Sequence, residues 1–170
     1  MNLRKLIASS LGVILVMALI ACGSADDLNS ELPNPFTEHE TLADAEKEVG
    51  FSFSIPDTIQ SFNECEYRSD KDDNMLEVIF RNGDEEIRFR KAAGEGDISG
   101  NYTKYSERED VEVDGAAVTM QGEGGKVNLA VWSADGYAYS IDCTVAVNDV
   151  TMTVYMRATM PIESDALKEN

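Results

Sequence analysis

The chain has 170 residues, 32 acidic against 14 basic, with one His, three Cys and a formal net charge of −18. That is length for one domain and a short leader. A surface this acidic repels phosphate backbones and anionic headgroups, which argues against nucleic acid as a partner. One His and three scattered Cys leave no ligand set for a zinc site, and no metal or cofactor is expected.

Residues 1–5 are a short basic start, followed by a run from Leu6 to Ala21 whose polar members are Ser9 and Ser10. This is the layout of an export signal. At 16 residues the run is shorter than the roughly 20 that a spanning helix needs. Its end, Leu19-Ile20-Ala21-Cys22, resembles the bacterial lipobox, in which Cys22 receives a thioether diacylglycerol and the peptide is cut just before it. The alternative is a plain N-terminal anchor with Cys22 at its boundary. Two or more acyl chains on one Cys are what stable anchoring takes, at ~0.8 kcal/mol per buried CH₂. The expected location is therefore the cell membrane, lipid-anchored and facing the extracytoplasmic side. Removing residues 1–21 takes Arg4 and Lys5 away and leaves a formal charge of −20 on the rest.

Residues 22–35 follow as lipidated Cys and acidic, flexible tether, poor in large apolar groups. Thirteen such residues span roughly 20 Å as a coil. A single domain is then expected over 36–162, with a polar tail at 163–170.

Thr37 and Thr41 are each followed three residues on by an acid, so two overlapping helix starts are on offer. Leu42, Ala45 and Val49 form one stripe at helical spacing, and Gly50 supplies a stop. From Phe51 the period changes to two, with Phe53 and Ile55 alternating against Ser52 and Ser54.

Asn82-Gly83 predicts a hairpin over Met75–Lys91 that places Leu76 opposite Phe89, Val78 opposite Ile87 and Glu77 opposite Arg88. Asp114-Gly115 predicts another, with Val113 on Ala116 and Val111 on Val118. A longer turn at Gly122–Gly125 would set Met120 against Val127. A three-residue loop at Ala134–Gly136 would set Val131 against Tyr139, Leu129 against Ile141 and Val127 against Cys143. The fold class is α+β: a curved antiparallel β-sheet, a meander of hairpins, covered by the N-terminal helix. Val150–Met160 alternates as a strand, yet Val147, Val150, Val154 and Ala158 with Asn148 as a cap also fit a helix.

Three segments, 45–51, 90–102 and 130–141, resemble a domain found in exported lipoproteins and single-span membrane proteins of gut Gram-positive bacteria, some of them similar to anti-sigma factors. The likeness covers roughly 41–160. It implies an antiparallel sheet with a helix at each end, and no activity.

Cys65 and Cys143 are the cysteines that remain after lipidation. Both fall on strands of an exported domain, so a disulfide is expected, with two buried thiols as the alternative. Closing that loop would constrain the unfolded chain by about 4–4.5 kcal/mol in the entropic account. Asp70–Asn74 matches only the start of a calcium loop, since Met75 and Arg81 stand where Gly and Glu are needed. Gly122–Lys126 is a turn rather than a phosphate loop, because a strand follows it. His39 would need an oriented partner inside a cleft to serve a Ser-His or Cys-His pair. If Val131 faces the helix, Trp132 points the other way with Asn128, Ser140 and Thr119, a candidate ligand or partner face.

No residue is singled out as catalytic. The expected function is a non-enzymatic extracytoplasmic binding or interaction module, attached to the membrane through Cys22 and serving a protein or cell-envelope partner. A sensory or regulatory domain acting through a membrane partner is the alternative from another class. A hydrolase built on two carboxylates about 5–10 Å apart is the third.

Overall fold

The computed structural model describes residues 34–160. The export segment, Cys22 and the tail at 163–170 lie outside the described residues. Chain order is β1 (Thr37–His39), α1 (Leu42–Val49), β2 (Glu64–Asp70), β3 (Met75–Asn82), β4 (Glu85–Ala93), β5 (Glu107–Val113), β6 (Ala116–Glu123), β7 (Lys126–Ala134), β8 (Tyr137–Val147) and α2 (Asp149–Thr159). The strands form one eight-stranded antiparallel sheet in the order β1-β2-β3-β4-β8-β7-β6-β5. The α+β class and the helix at each end are thus as expected.

Helix α1 starts where Thr41 accepts the Asp44 N–H at 3.2 Å and stops at Gly50, whose φ of 80° is left-handed. Only glycine adopts that cap without strain. Thr37, the other candidate start, lies in β1 and pairs with Ser69. The alternating run from Phe51 to Ile55 joins no ladder. Its backbone is held by side chains instead: the Phe53 N–H donates to Glu46 Oε1 at 2.7 Å, and Lys91 Nζ donates to the Ser52 carbonyl at 2.7 Å. Phe53 is buried in the core, which is what its apolar periodicity reports.

Register decides which side chains each face carries. The β5–β6 hairpin closes as expected through Asp114 and Gly115, at φ 48° and 84°. The β3–β4 turn is Gly83-Asp84 rather than Asn82-Gly83, with Gly83 at φ 61° as the first central residue, the position a type II′ turn reserves for glycine. The turn moves by one residue, so pairing moves by two: Val78 meets Phe89, Phe80 meets Ile87 and Glu77 meets Arg90. A shift of two keeps every side chain on its expected face.

The β7–β8 turn departs by one, and there the faces exchange. Asp135 and Gly136, at φ 53° and 79°, form a two-residue type I′ turn that closes Ala134 on Tyr137. Trp132 then lies opposite Tyr139 and Ala130 opposite Ile141. The three-residue loop expected at Ala134–Gly136 would have aligned Val131 with Tyr139. An Asp-Gly pair favours the tighter turn because both residues accept positive φ.

Both helices pack on one face of the sheet, α1 on β1 to β3 and α2 on β7 and β8. Between them lies the core: Leu76, Val78, Phe80, Ile87, Phe89, Tyr139 and Ile141 from the central strands, with Ala45, Met152 and Met156 from the helices. Helix α2 is capped by the Asn148 side chain, which accepts the Thr151 N–H at 2.8 Å. It buries Met152, Met156 and Thr159, not the Val150 and Val154 stripe. The connection from β4 to β5 must pass β8, β7 and β6, and its residues cross the outer face of the sheet.

Candidate functional site

The outer face is organised by one buried carboxylate. Glu77, 1% exposed, projects from β3 with Arg68 and Arg90 as its register partners on β2 and β4. Arg90 Nε donates to Glu77 Oε2 at 2.7 Å, Arg88 Nε lies 3.2 Å from the same oxygen, and Arg68 reaches Oε1 at 3.5 Å. Glu66 accepts from Arg81 and Arg68 at 2.6 Å each, and Glu86 pairs with Arg81 and Arg88. These contacts hold the Glu66 carboxyl below the usual carboxylate range, the Arg81 hydrogen bond first.

The β4–β5 connection closes over this network. Arg90 also donates to the carbonyls of Ile98 and Ser99. Asn101 Nδ2 donates to both oxygens of Asp142, at 3.1 and 3.2 Å, and to Tyr105 Oη at 3.0 Å. Burial pushes the Asp142 carboxyl up, against the Asn101 hydrogen bonds and the nearby arginines. At the tip of the connection Tyr102 stands 94% exposed. Below it a cleft of about 460 Å³ is lined by Phe36, Asp70, Asp73, Asp97, Ile98 and Arg90.

On the helix face a lone ammonium is held by aromatic rings. Lys91 Nζ lies 4.2 Å from the Tyr137 ring centroid, 5.2 Å from Phe51 and 5.6 Å from Tyr139. Burial lowers its pKa from the ordinary lysine range. Rings facing a cation offset part of that cost, so Lys91 ties the segment after α1 to the sheet.

Of the expected ligand face, the structure corrects the central residue. Trp132 is 4% exposed on the core side, stacked on Tyr139 at 5.1 Å, because the tight Asp135-Gly136 turn reverses its orientation. Ser140 is buried on the outer face, and Thr119 is half-buried and donates to Asp110 at 2.6 Å. Asn128 sits at a bulge and donates Nδ2 to the Cys143 carbonyl at 3.0 Å. The four do not converge on a ligand.

The expected disulfide is also corrected. Cys65, Phe80, Ile87 and Cys143 form one row across β2, β3, β4 and β8, and both thiols are free. Three strand spacings separate them, about 14 Å, where a disulfide needs Cα atoms within roughly 7 Å. Placement of both cysteines on strands is as expected; the two strands between them were not.

The loops that resembled ligand motifs close on themselves. Asp70 Oδ1 accepts the Asp72 and Asp73 N–H groups at 3.0 and 3.2 Å, an Asx turn. The Gly124 and Gly125 N–H groups, which would face a phosphate, donate to the Glu107 carboxylate at 3.1 and 2.8 Å.

His39 does acquire partners that the sequence reading did not supply. Its Nε2 lies 2.7 Å from Ser69 Oγ and 3.1 Å from Glu48 Oε2, and Ser69 donates to Glu48 at 2.6 Å. A nucleophilic serine would donate to the imidazole, with the carboxylate on Nδ1. Here the carboxylate takes the serine proton on the same side, and Ser69 is fully buried. The cluster fastens β1 to α1 and β2, and holds the Glu48 carboxyl below the usual range, the Ser69 hydrogen bond first.

No family model, curated protein or solved structure matches the chain.

Proposed function

We propose that the chain is a lipid-anchored, extracytoplasmic interaction module that works by holding a partner at the membrane surface. The observation that carries this reading is Leu19-Ile20-Ala21-Cys22, placed after a basic start and an apolar run. Lipid on Cys22 and a short acidic tether would leave the domain within roughly 20 Å of the bilayer. The net charge repels it from anionic headgroups and favours cationic partners. Likeness to the extracytoplasmic domains of lipoproteins and anti-sigma-like proteins points the same way.

The polar groups of the outer face support a binding rather than a chemical role. Glu77 and Arg90 spend their hydrogen bonds on one another and on the β4–β5 connection, and Arg68 and Arg88 pair with the nearby carboxylates, with their buried Nε groups lacking a hydrogen-bond acceptor among the described residues. The test is the anchor. Wild-type chain should fractionate with membranes and take up a fatty-acid analogue, and Cys22→Ala should do neither. Label retained by Cys22→Ala overturns the reading.

A further inference from the structure

We propose that the free edge of β5 is the docking strand for an extended, cationic segment of a partner protein, which adds to the sheet and seats alternate apolar side chains beside α2. This rests on the reading of the chain as an interaction module. Strand β5 pairs with β6 along its whole length and ends the sheet, so among the described residues its other edge has no partner strand. Such an edge offers a row of backbone donors and acceptors to an added strand.

Two depressions flank β5 on the helix side. One, of about 610 Å³, is bounded by Glu107, Glu109, Met120, Val127 and Asp149. The other, of about 360 Å³, is bounded by Val111, Val113, Met120, Thr153 and Arg157. Their β5 walls meet at Glu109, and they share Met120 and Asp149 as well, so together they form one trough along the strand from Glu107 to Val113. Side chains at i, i+2 and i+4 of an added strand share one face and would lie along it. Asp149, Thr153 and Arg157 form the α2 wall, and Val150 and Val154, next to them on the helix, stand 67% and 58% exposed.

Charge chooses the occupant. Strand β5 carries Glu107, Glu109, Asp110 and Glu112 against Arg108. Glu107 is used by the β6–β7 turn and Asp110 by Thr119 and Arg108. Glu109, Glu112 and Asp149 have no cationic partner among the described residues. A second copy would bring its own four acids and one base to the same edge, a net like-charge pairing that opposes association. A Lys or Arg on the outer side of the added strand would pair with Glu112, and one on its inner side with Glu109 and Asp149, leaving the Val111 and Val113 end of the trough to apolar side chains.

The experiment uses the detergent-solubilised full chain and a fluorescein-labelled peptide of alternating Lys and Leu in which one terminal Leu is replaced by Lys to meet Glu109 and Asp149, with a control of equal charge carrying Pro at its centre. The alternating peptide should bind, slow hydrogen exchange at the β5 amides, and exceed the Pro peptide at least tenfold in affinity. Glu109→Lys with Glu112→Lys, both exposed positions, should weaken binding at least tenfold with an unchanged circular dichroism spectrum. Equal binding of the two peptides, or protection elsewhere than β5, overturns the proposal. So do outward-facing β5 amides, those not bonded to β6, already protected in the free monomer, which would mean the chain covers its own edge. Protection that appears with concentration-dependent dimerisation identifies a second copy instead and also overturns it. None of these readings depends on lipid at Cys22, so failure here removes the docking edge and leaves the anchor, while unlabelled Cys22 does the reverse.

Discussion

A carboxylate buried among three guanidinium groups is stabilising only while every member stays. The geometry around Glu77 is of that kind: two register partners and one diagonal neighbour converge on two oxygens. Removing the acid leaves Arg90 without a carboxylate and crowds it against Arg68 and Arg88, which keep Glu66 and Glu86, a change that costs about 3–5 kcal/mol. Glu77→Ala should therefore lower the unfolding free energy from urea titration by that much, and Glu77→Gln, which keeps one acceptor, by less. A loss under about 1 kcal/mol for Glu77→Ala would mean that the arginines re-solvate freely. The two thiols give a second residue-level prediction. Cys143 is buried with its pKa pushed up to about 12 by burial, and Cys65 lies in an exposed position. An alkylating reagent should modify Cys65 in the native protein and Cys143 only after unfolding. Intact mass without reductant should show both as thiols, and a mass lower by two hydrogens would restore the disulfide.

At the scale of elements, what the sequence made legible was the type and order of segments, and what it left open was register. Helix α1, its Thr41 cap and its Gly50 stop follow from local chemistry alone. So does the Asp114-Gly115 hairpin. Trp132 shows why the rest was harder: the turn at Asp135-Gly136 admits loops that differ by one residue, and one residue exchanges the faces of β7. Gly122 adds to this, because a bulge beside it shifts the register of β6. A side chain there would collide with the Lys126 carbonyl, a close approach that no periodicity announces. For 149–160 the β-branched residues favoured a strand locally, and burial of the methionines prevails in the fold. The helix separates residues that a strand would keep together. Met156→Ala should cost about 2–5 kcal/mol, Asn148→Ala about 1 kcal/mol, and Val154→Ala under about 0.5 kcal/mol. Urea titrations in which Val154→Ala and Met156→Ala lose equal stability would favour the strand, since alternation places both on one face.

At the scale of the molecule, the pairing of β4 with β8 is a long-range choice that no local pattern encodes, and it sets Asp142 opposite Arg88. The local β2–β3 and β3–β4 pairings gather Arg68, Arg81, Arg88 and Arg90 on one part of the outer face, where carboxylates already neutralise them. Elsewhere the surface keeps an uncompensated excess of acid. Two opposed salt effects follow. Screening weakens ion pairs, but the arginine network is partly buried and is screened little. Repulsion between exposed carboxylates acts through water, over a Debye length of about 10 Å at 0.1 M salt, and is screened strongly. With 32 acids against 14 bases the second term prevails. Raising sodium chloride from about 20 mM to about 500 mM, which shortens the screening length to a few ångströms, should therefore raise the Tm of the wild-type chain. The same salt step should raise it less when exposed acids such as Glu109 and Glu112 are replaced by Gln, because there is less repulsion to relieve. A Tm that falls with salt in the wild-type chain would place its stability in the outer-face ion pairs instead.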